Sequence, residues 1–589
     1  MERKEVLLSD LGHLLTPQSA IADDATPTQW RRVSYETTDF SGSLVSTTYL
    51  SEVPSLTLEP KLSGWYKIFL GLNYVHSHGV TEIQVQLSGD RTYVPVRPDL
   101  KAVGRFDIDE FFWKCADMTD QSVIFHQPPI VRPHNSSVAF VRFVPMTDEE
   151  VAAYFKEKAD PDTKRVYATD DIHNILFESP RSIEYFLSQV EQYRDSDVKA
   201  LSMEYIRHYD FSRPERVDHM KTLGRITEKY AAETTRWLHE NNIDYLAEMI
   251  KHGHDVGIDM YLSMRMNSVC YSYPLDENFY CEFFEDHQEL HQQDRDGVHI
   301  SRFSYAFEGT RQYALDTLRD MAKYDCDGVD LIYNRGYPFV LFEEPFLELV
   351  RQRYGVDART LPNDDERLMT VRCQIMTDFM RQVKKQLAED RAARGQKPLK
   401  IAVHVHKSIR ACRFVGLDLE AWVKEGLIDS IECYPVELEE HLPDECYANE
   451  EKTLIDVDKY RQAVAKSPVE THPRIYNTTD NPEEDTLAFV NLVKGTDVKL
   501  YIDILPRTMS PEEFRKRGMR LYNYGVHGVS LWDTYDRTKV RRQWTMMSRL
   551  GHHTQLPTMA DGDGELFRTH RVVVYNRCRM DRYPPYWAG

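Results

Sequence analysis

Three patterns of apolar and polar positions follow one another along the 589 residues. Residues 30–145 contain short segments in which apolar and polar side chains alternate, separated by turn residues. Several short strands with this period of two are typical of a β-sandwich. We therefore predict an N-terminal all-β sandwich domain, jelly-roll-like, over residues 1–146. Such a domain either binds carbohydrate or serves as an accessory that shapes a cleft or an oligomer contact, and the pattern leaves both open.

The pattern changes near residue 147. Runs such as TDEEVAAYFKEKAD and SPRSIEYFLSQVEQYRD have helical periodicity and begin with Ser or Thr, as helix N-caps do. Helix-like and strand-like runs then alternate to about residue 550, which predicts right-handed βαβ units and a parallel sheet. Neither GxGxxG nor a Walker motif is present. Seven or eight strands over this length favour an α/β fold, a (β/α)8 TIM barrel spanning residues 147–555.

The last segment, residues 556–589, is predicted to be a C-terminal tail with one strand. Its strand-like run lies in LFRTHRVVVYNRCRMDRYPPYW. This run either pairs with the N-terminal domain or packs beneath the barrel, and the sequence does not choose between the two.

One stretch of the barrel, residues 321–348, has the features of an active-site wall. A helical run there leads into the apolar strand Val329–Tyr333, which Asp330 interrupts. An ionised carboxylate inside a strand buried on both faces is costly unless it is paired or used. α/β barrels hold their catalytic groups at the carboxyl ends of the strands. The loop that follows this strand carries Asn334, Arg335, Glu343 and Glu344.

Composition and charge narrow the class of partner. The 73 basic residues against 94 acidic ones give a net charge of −21, which repels phosphate backbones and anionic lipid. We therefore expect no nucleic acid and no membrane partner, whereas a carbohydrate substrate is compatible with this charge, and we leave a homo-oligomer open. The nine cysteines form no CxxC pair and predict a reducing compartment. With neither a signal peptide nor an 18-residue apolar run, a cytoplasmic location is expected.

The ends of the predicted barrel strands nominate the site residues. As catalytic carboxyl groups we predict Asp330, Glu343 and Glu432. The strand that contains Glu204 also carries Arg207 and His208 near its end. As substrate-binding residues we predict Glu204, Arg265, Asn267, Asn334, Arg335, His404, His406, Tyr434, Trp532 and Asp533.

Several carboxyl groups on one rim, with aromatic and Arg neighbours, suit glycosidic bond cleavage. One carboxyl donates a proton to the leaving oxygen, and the other attacks or activates water. Their separation is about 5–5.5 Å in retaining enzymes and about 6.5–9.5 Å in inverting ones. We expect Arg335 and Arg265 to orient these groups and Trp532 and Tyr434 to contact the sugar, without cofactor.

Each of these residues also has a structural interpretation. Asp330 is equally a partner for an inward Arg or His, and one of Glu343 and Glu344 suits the N-terminus of the following helix. His404 and His406 lie on one face of a strand and offer half of a metal site. No third ligand is evident from the sequence, so no metal is expected.

The barrel region, about residues 165–550, resembles the glycoside-hydrolase-like barrels of bacteria that are related to family 10 glycosylhydrolases. In that family the fourth strand is similar to D-G-hydrophobic-acid-L-D-hydrophobic-x-R, and a loop has the pattern aromatic-Glu-x-Pro. Asp327, Gly328, Asp330 and Arg335 resemble the strand pattern, and Glu343 resembles the loop acid. The matching stretches are PRSIEYFLSQVEQYRDSDV, FEDHQELHQQDRDG, SYAFEGTRQYALDTLRDMAKYDCDGVDL, NRGYPFVLFEEPFLELVRQRYGVDART, GLDLEAWVKEGLIDSI and PEEFRKRGMRLYNYGVHGVSLWD.

The resemblance implies a glycoside hydrolase, with one departure. Where relatives carry a second Asp on the fourth strand, this chain has Ile332. If that Asp is the usual catalytic group, this protein uses another carboxyl group, such as Glu343 or Glu432, or acts differently. The sequence therefore leaves two alternatives to a hydrolase with paired carboxyl groups: a non-catalytic carbohydrate-binding barrel, and a metal-dependent barrel hydrolase or lyase.

Overall fold

The computed structural model describes residues 3–73, 80–104, 106–131, 133–205, 226–267, 282–297, 299–335, 337–434, 483–562 and 564–580. Within this part of the chain, no helix is both long enough and apolar enough to cross a membrane. The six cysteines it contains are all free thiols, and five of them are buried or half-buried.

Eight parallel strands form a closed barrel, which confirms the predicted fold. Each strand pairs with the next along the chain, and the eighth pairs with the first. The sequence patterns pointed to seven of them and missed the first. We refer to the strands by their order in the barrel, from first to eighth: Val166–Asp170, Val198–Glu204, Asp259–Arg265, Gly328–Ile332, Lys400–Val405, Ser430–Cys433, Lys499–Asp503 and Gly528–Leu531.

Helices follow the strands and cover the barrel. Several begin where a side chain accepts a hydrogen bond from a free backbone N–H: Ser408 from Ala411, and Ser510 from Glu513. A hairpin, His291–Gln293 with His299–Phe303, follows the third strand. From residue 148 onward the described α-helices are Asp148–Lys158, His173–Phe177, Ile183–Glu191, Ile226–Glu240, Tyr245–Val256, Glu282–Asp286, Glu308–Met321, Glu344–Tyr354, Glu366–Ala393, Ile409–Phe414, Leu419–Lys424, Glu483–Val493, Pro511–Tyr524 and Arg541–Met547.

Tyrosine rings close the amino-terminal end of the barrel interior. Tyr167, Tyr261 and Tyr501 point inward and pack with Ala200 and Ala402. The rings of Tyr261 and Tyr501 need space, and it comes from a glycine in register on the neighbouring strand. Gly328 pairs with Tyr261, and Gly528 pairs with Tyr501. The glycine at the start of the fourth strand thus makes room for a ring.

Substituting Gly328 with Ala is therefore expected to destabilise the barrel. The added Cβ would lie 2.2 Å from a ring carbon of Tyr261 and 2.7 Å from the carbonyl oxygen of Lys400. We expect a loss of about 2 kcal/mol or more, since overpacking a core typically costs about 1–3 kcal/mol. Gly518→Ala in a helix is the control, because its Cβ would meet only two leucine methyl carbons, at 3.1 and 3.4 Å, and alanine favours the helix. Urea unfolding measures both; equal effects would contradict the expectation.

The N-terminal region is all-β, as predicted, but it forms three sheets rather than the two of a simple sandwich. The five-stranded and four-stranded sheets share one apolar core. In order across each sheet, the five-stranded sheet is Val6–Leu8, Phe140–Pro145, Trp65–Asn73, Ile108–Asp117 and Phe567–His570; the four-stranded sheet is Leu56–Leu58, Val123–His126, Ile83–Leu87 and Val94–Val96. The third is Cys578–Arg579, Val572–Tyr575, Trp30–Thr37, Ser41–Thr48, His134–Val138 and Val80–Thr81, with Ile21–Ala22 beside Trp30–Thr37; a short helix, Leu11–Leu14, precedes these strands.

The C-terminal tail belongs to these sheets. Phe567–His570 pairs with Ile108–Asp117, and Val572–Tyr575 pairs with Trp30–Thr37. The described part of the tail, up to residue 580, contains three strands, not the single strand that the sequence predicted. It pairs with the N-terminal region rather than packing beneath the barrel. The chain therefore leaves the β region to build the barrel and returns to complete it.

Candidate active site

A buried polar cluster centres on Asp330, inside the barrel on its fourth strand. Both oxygens of this carboxyl group are used. The hydroxyl groups of Tyr167 and Ser202 donate to Oδ2 at 3.2 and 2.7 Å. His404 Nδ1 lies 3.0 Å from Oδ1. Asp330 therefore pairs with an inward histidine, His404, as the structural interpretation of the sequence predicted. Such pairing is compatible with a chemical role for Asp330.

Glu432 is the second carboxyl group of the cluster. It lies on the sixth strand, in register with His404 on the fifth, and Ser430 donates to its Oε1 at 2.7 Å. Burial raises the pKa of Glu432 above its ordinary value; His404 opposes this rise and the Asp330 charge adds to it. Burial by itself lowers the pKa of His404, but Asp330, followed by Glu432 and Asp503, raises it by more. The cluster can therefore hold a proton next to an ionised group.

The same three residues offer a cation site. Asp330, His404 and Glu432 each present one ligand atom within 4.8 Å of the other two, and all three are buried. His404 Nε2 and Glu432 Oε2 are buried atoms without a hydrogen-bond partner. The predicted pair of histidines does not form this site: His404 belongs to it and His406 does not, and Asp330 and Glu432 offer the other two ligands. One nitrogen and two carboxylate ligands suit a first-row divalent ion.

An apolar and aromatic layer covers the cluster on the carboxyl side. Ile332, Tyr434, Leu505 and Trp532 pack together and are each between 1% and 3% exposed. Each follows an inward polar residue of its strand by two positions: Ile332 lies at the end of its strand, and the other three lie just past the ends of theirs. The Trp532 ring meets His404 edge-on at 5.0 Å. Ile332, at the position where the resembling family carries an Asp, thus serves packing here.

Arg335 does not orient a catalytic carboxyl group, and that prediction is wrong. Its guanidinium lies over the rings of Tyr434 and Trp532, at 5.2 and 5.0 Å. These rings separate it from Asp330 and Glu432 beneath, so it stacks instead of forming an ion pair. Near it, burial and then the Arg335 charge lower the pKa of His406 to about 3, so this ring is neutral.

Arg265 also pairs with groups other than Asp330, Glu343 and Glu432, the carboxyl groups that it was predicted to orient. It lies at the end of the third strand and forms ion pairs with Asp171 at 2.7 Å and Glu204 at 3.0 Å. Its length and inward direction bring it to the first and second strands, not to the Asp330 cluster. Glu204 and Arg265 therefore lie together on the rim, as candidate substrate contacts, and Arg207 and His208 fall outside the described residues.

A second rim pair follows the seventh and eighth strands. Arg507 lies 3.0 Å from Asp533, whose φ of +51° is unusual for a residue other than glycine. Thr169 holds this conformation, since its hydroxyl accepts from the Asp533 N–H at 2.8 Å. Below them, burial raises the pKa of Asp503 to about 6. Strained backbone of this kind is concentrated at functional sites.

Glu343 and Asn267 lie in a different setting from the cluster. Glu343 is buried and accepts from the backbone N–H groups of Gln293 and Leu341, both at 3.0 Å. Burial raises its pKa to about 7. Asn267 donates to the carbonyl groups of Phe303 and Pro338. Their hydrogen bonds fasten the hairpin to the loop before helix Glu344–Tyr354, so we expect structural roles for both.

Several polar residues of the site were not named from the sequence. Tyr167 and Asp171 belong to the first strand and its end, and VYATD is too short and polar to stand out as a buried strand. Ser202 is two residues before Glu204, so the period of two would have placed it inward. Arg507 lies in the loop after the seventh strand, four residues past its end at Asp503, and no sequence pattern distinguishes it there.

Comparison of the sequence with protein-family models and with curated proteins finds no match. Among solved structures, the catalytic domain of a β-amylase from Paenibacillus polymyxa aligns with 66% of this chain and 97% of its own, at 10% identity and a TM-score of 0.41. The PgaB (BpsB) glycoside hydrolase domain from Bordetella bronchiseptica aligns with 62% of this chain and 93% of its own, at 11% and 0.37. The α-galactosidase TtGalA from Thermus thermophilus aligns with 89% of this chain and 94% of its own, at 10% identity and a TM-score of 0.32. Such distant similarities assign no reaction, and membership of the family 10-like group stays a prediction.

Proposed function

We propose that this protein is a glycoside hydrolase whose carboxyl pair is Asp330 and Glu432. The observation that carries the proposal is the buried Asp330–His404–Glu432 cluster, with ligand atoms within 4.8 Å of one another. That spacing is closer to the ~5–5.5 Å of retaining enzymes than to the ~6.5–9.5 Å of inverting ones. Glu343 lies in a separate loop and is left out of the pair.

The two carboxyl groups take different roles in this proposal. Glu432 keeps its proton because burial and the neighbouring Asp330 raise its pKa, so it donates to the leaving oxygen. Asp330 accepts hydrogen bonds from Tyr167 and Ser202, which orient it as the group that attacks. His404 is next to both groups, since its Nδ1 lies 3.0 Å from Asp330 and it is in register with Glu432.

Substrate access requires the layer above the cluster to move. Trp532 and Tyr434 are buried against Ile332, so a sugar reaches the carboxyl pair only when these side chains separate. The two aromatic rings then become the wall that a sugar ring contacts. Glu204, Arg265 and Asp533, on the rim, are the remaining proposed contacts, together with Asn334 and His406.

A screen of plant and algal oligosaccharides with product analysis tests the proposal. We expect release of new reducing ends by the wild-type protein and none by Glu432→Gln. Binding of an oligosaccharide in calorimetry, without product after long incubation, would instead select the non-catalytic carbohydrate-binding alternative. If the screen shows no binding and no product, that result would contradict a carbohydrate function.

A metal-dependent barrel hydrolase or lyase is the second candidate function. The unpartnered His404 Nε2 and Glu432 Oε2 favour it, because three protein ligands with open positions are typical of catalytic metal sites. Elemental analysis of the purified protein and a thermal shift with Zn²⁺ or Mn²⁺ test it. No bound metal, no shift and activity unaffected by chelator would remove this candidate.

A further inference from the structure

Three polar side chains above the cluster lack the partners that buried polar groups normally have. Arg335, half-buried, makes one hydrogen bond, to the carbonyl oxygen of Asn334 at 3.3 Å. Among the described residues no carboxylate pairs with it, and its charge rests on the Tyr434 and Trp532 rings. With respect to the described part of the chain, the cation is therefore available to an anion from outside it.

Asn334 and His406 are the two buried neighbours of this arginine. Asn334 is 4% exposed and His406 is 3% exposed. Within the residues that the structure describes, neither the amide oxygen nor the amide nitrogen of Asn334 has a hydrogen-bond partner, and His406 Nε2 has none. Ile332 is in register with His404, and Asn334 and His406 each follow two residues later, just past the ends of these two strands. The three groups thus share one side of the barrel mouth.

Leaving such groups unsatisfied is costly, at about 1–3 kcal/mol for each buried donor or acceptor. Buried polar atoms without partners are rare and call for an explanation, such as a bound ligand. A guanidinium beside an amide N–H is a donor set for a carboxylate, which Arg binds through two parallel hydrogen bonds. The Trp532 and Tyr434 rings beside it offer a surface for a sugar ring.

We propose that Arg335, Asn334 and His406 form a subsite for the carboxylate of an acidic sugar, a uronic acid residue. This inference rests on the proposed carbohydrate function and names its substrate class. Arg335 and the Asn334 amide bind the carboxylate, His406 Nε2 contacts it or the adjacent hydroxyl, and the ring of the sugar lies along Trp532.

A carboxylate fits this subsite better than a phosphate, which carries the higher charge. Two other arginines of the described rim are already neutralised, Arg507 by Asp533 and Arg265 by Asp171 and Glu204. One free guanidinium matches one negative charge. The net charge of −21 also opposes ligands of higher charge.

Binding of matched methyl glycosides tests the subsite. Methyl glucuronide and methyl galacturonide, as both anomers, are compared with the corresponding glucoside and galactoside by calorimetry. The full-length Glu432→Gln variant is used as the background, so that no turnover interferes. We expect at least one uronide to bind about tenfold or more tightly than its neutral partner, about 1.4 kcal/mol. Equal binding within every pair would overturn the proposal.

Arg335 variants then locate the preference. Arg335→Gln is expected to bring the ratio of uronide to neutral affinity close to one, and Arg335→Lys to retain part of it, because the charge stays but the two parallel hydrogen bonds are lost. Arg353→Gln, on an exposed helix, removes the same charge elsewhere and should leave the ratio unchanged. Persistence of the full ratio in Arg335→Gln would overturn the assignment, and loss of the ratio in Arg335→Gln with unchanged circular dichroism and partial retention in Arg335→Lys would support it.

Two further results separate this proposal from its neighbours. Inorganic phosphate that competes as strongly as the uronide would show a general anion site and overturn the sugar assignment. Because binding is measured without turnover, a uronide preference in a protein that hydrolyses nothing would support the subsite while contradicting the hydrolase. Hydrolysis of neutral glycosides without any preference for uronides would support the hydrolase and contradict the subsite.

Discussion

Asp330→Asn and Glu432→Gln are each expected to lower kcat/KM on a confirmed glycoside by about 10²–10⁴-fold, the usual contribution of a positioned acid or base. Both substitutions keep the size of the side chain and remove its ability to exchange a proton or attack. Asp330 also binds Ser202 and His404, so its replacement disturbs the whole cluster. The double variant is expected to lose little more than either single one, because the two groups act as a unit.

Glu343→Gln is the matched control for this prediction. Glu343 is also a buried carboxyl group with a raised pKa, but its hydrogen bonds are to the backbone of the hairpin and loop. We expect its kcat/KM to stay within about threefold of the wild-type value, well short of the loss of an acid or base. A large loss in Glu343→Gln together with full activity in Asp330→Asn would contradict the assigned pair.

The pH profile gives an independent check on Glu432. An acid catalyst works in its protonated form, so kcat/KM should fall as pH rises through the raised pKa of Glu432. That limb should therefore lie well above the pH at which an exposed glutamate titrates. The residual activity of Glu432→Gln should not show this fall of kcat/KM with rising pH. If the fall were unchanged in the variant, the proton donor would be another group.

Arg542→Met is expected to cost about 3–5 kcal/mol of unfolding free energy, since it would leave a buried charge without its partner. Arg542, in the last helix of the barrel, lies 2.6 Å from Asp109 of the N-terminal region. It also donates to the backbone of Arg568 and the hydroxyl of Thr569 in the tail. One guanidinium thus joins three parts of the chain. Asp109 is fully buried and keeps its charge less readily without it.

A double variant and a surface control make this prediction specific. Adding Asp109→Asn to Arg542→Met removes the unpaired charge and should recover more than half of the loss. Arg549→Met breaks an ion pair with Glu157 that is largely exposed to solvent, which should cost less than about 1 kcal/mol. Urea unfolding followed by tryptophan fluorescence and by circular dichroism measures all three, and coincident transitions justify one free energy. A small effect of Arg542→Met would contradict a role in joining the regions.

The barrel was predictable because its signal is local. Runs of apolar residues and amphipathic helices alternate from about residue 147 onward, and each can be recognised within 10–20 residues. The first strand escaped because Val166–Asp170 is short and ends in polar side chains that face the interior. It is a strand because the second and eighth strands pair with it on either side, and that information lies far away in sequence.

The sequence by itself determined the fold class, the negative charge, and the presence of polar residues at the ends of the strands. Only the tertiary structure decided which of those residues meet. Register and closure of the barrel join Asp330, His404 and Glu432, which are up to about 100 positions apart in sequence, and send Arg265 and Arg335 to other partners. They also return the tail to the N-terminal sheets. The reason is physical: a local pattern fixes which face a side chain takes, whereas its neighbours across the barrel depend on how all eight strands pair.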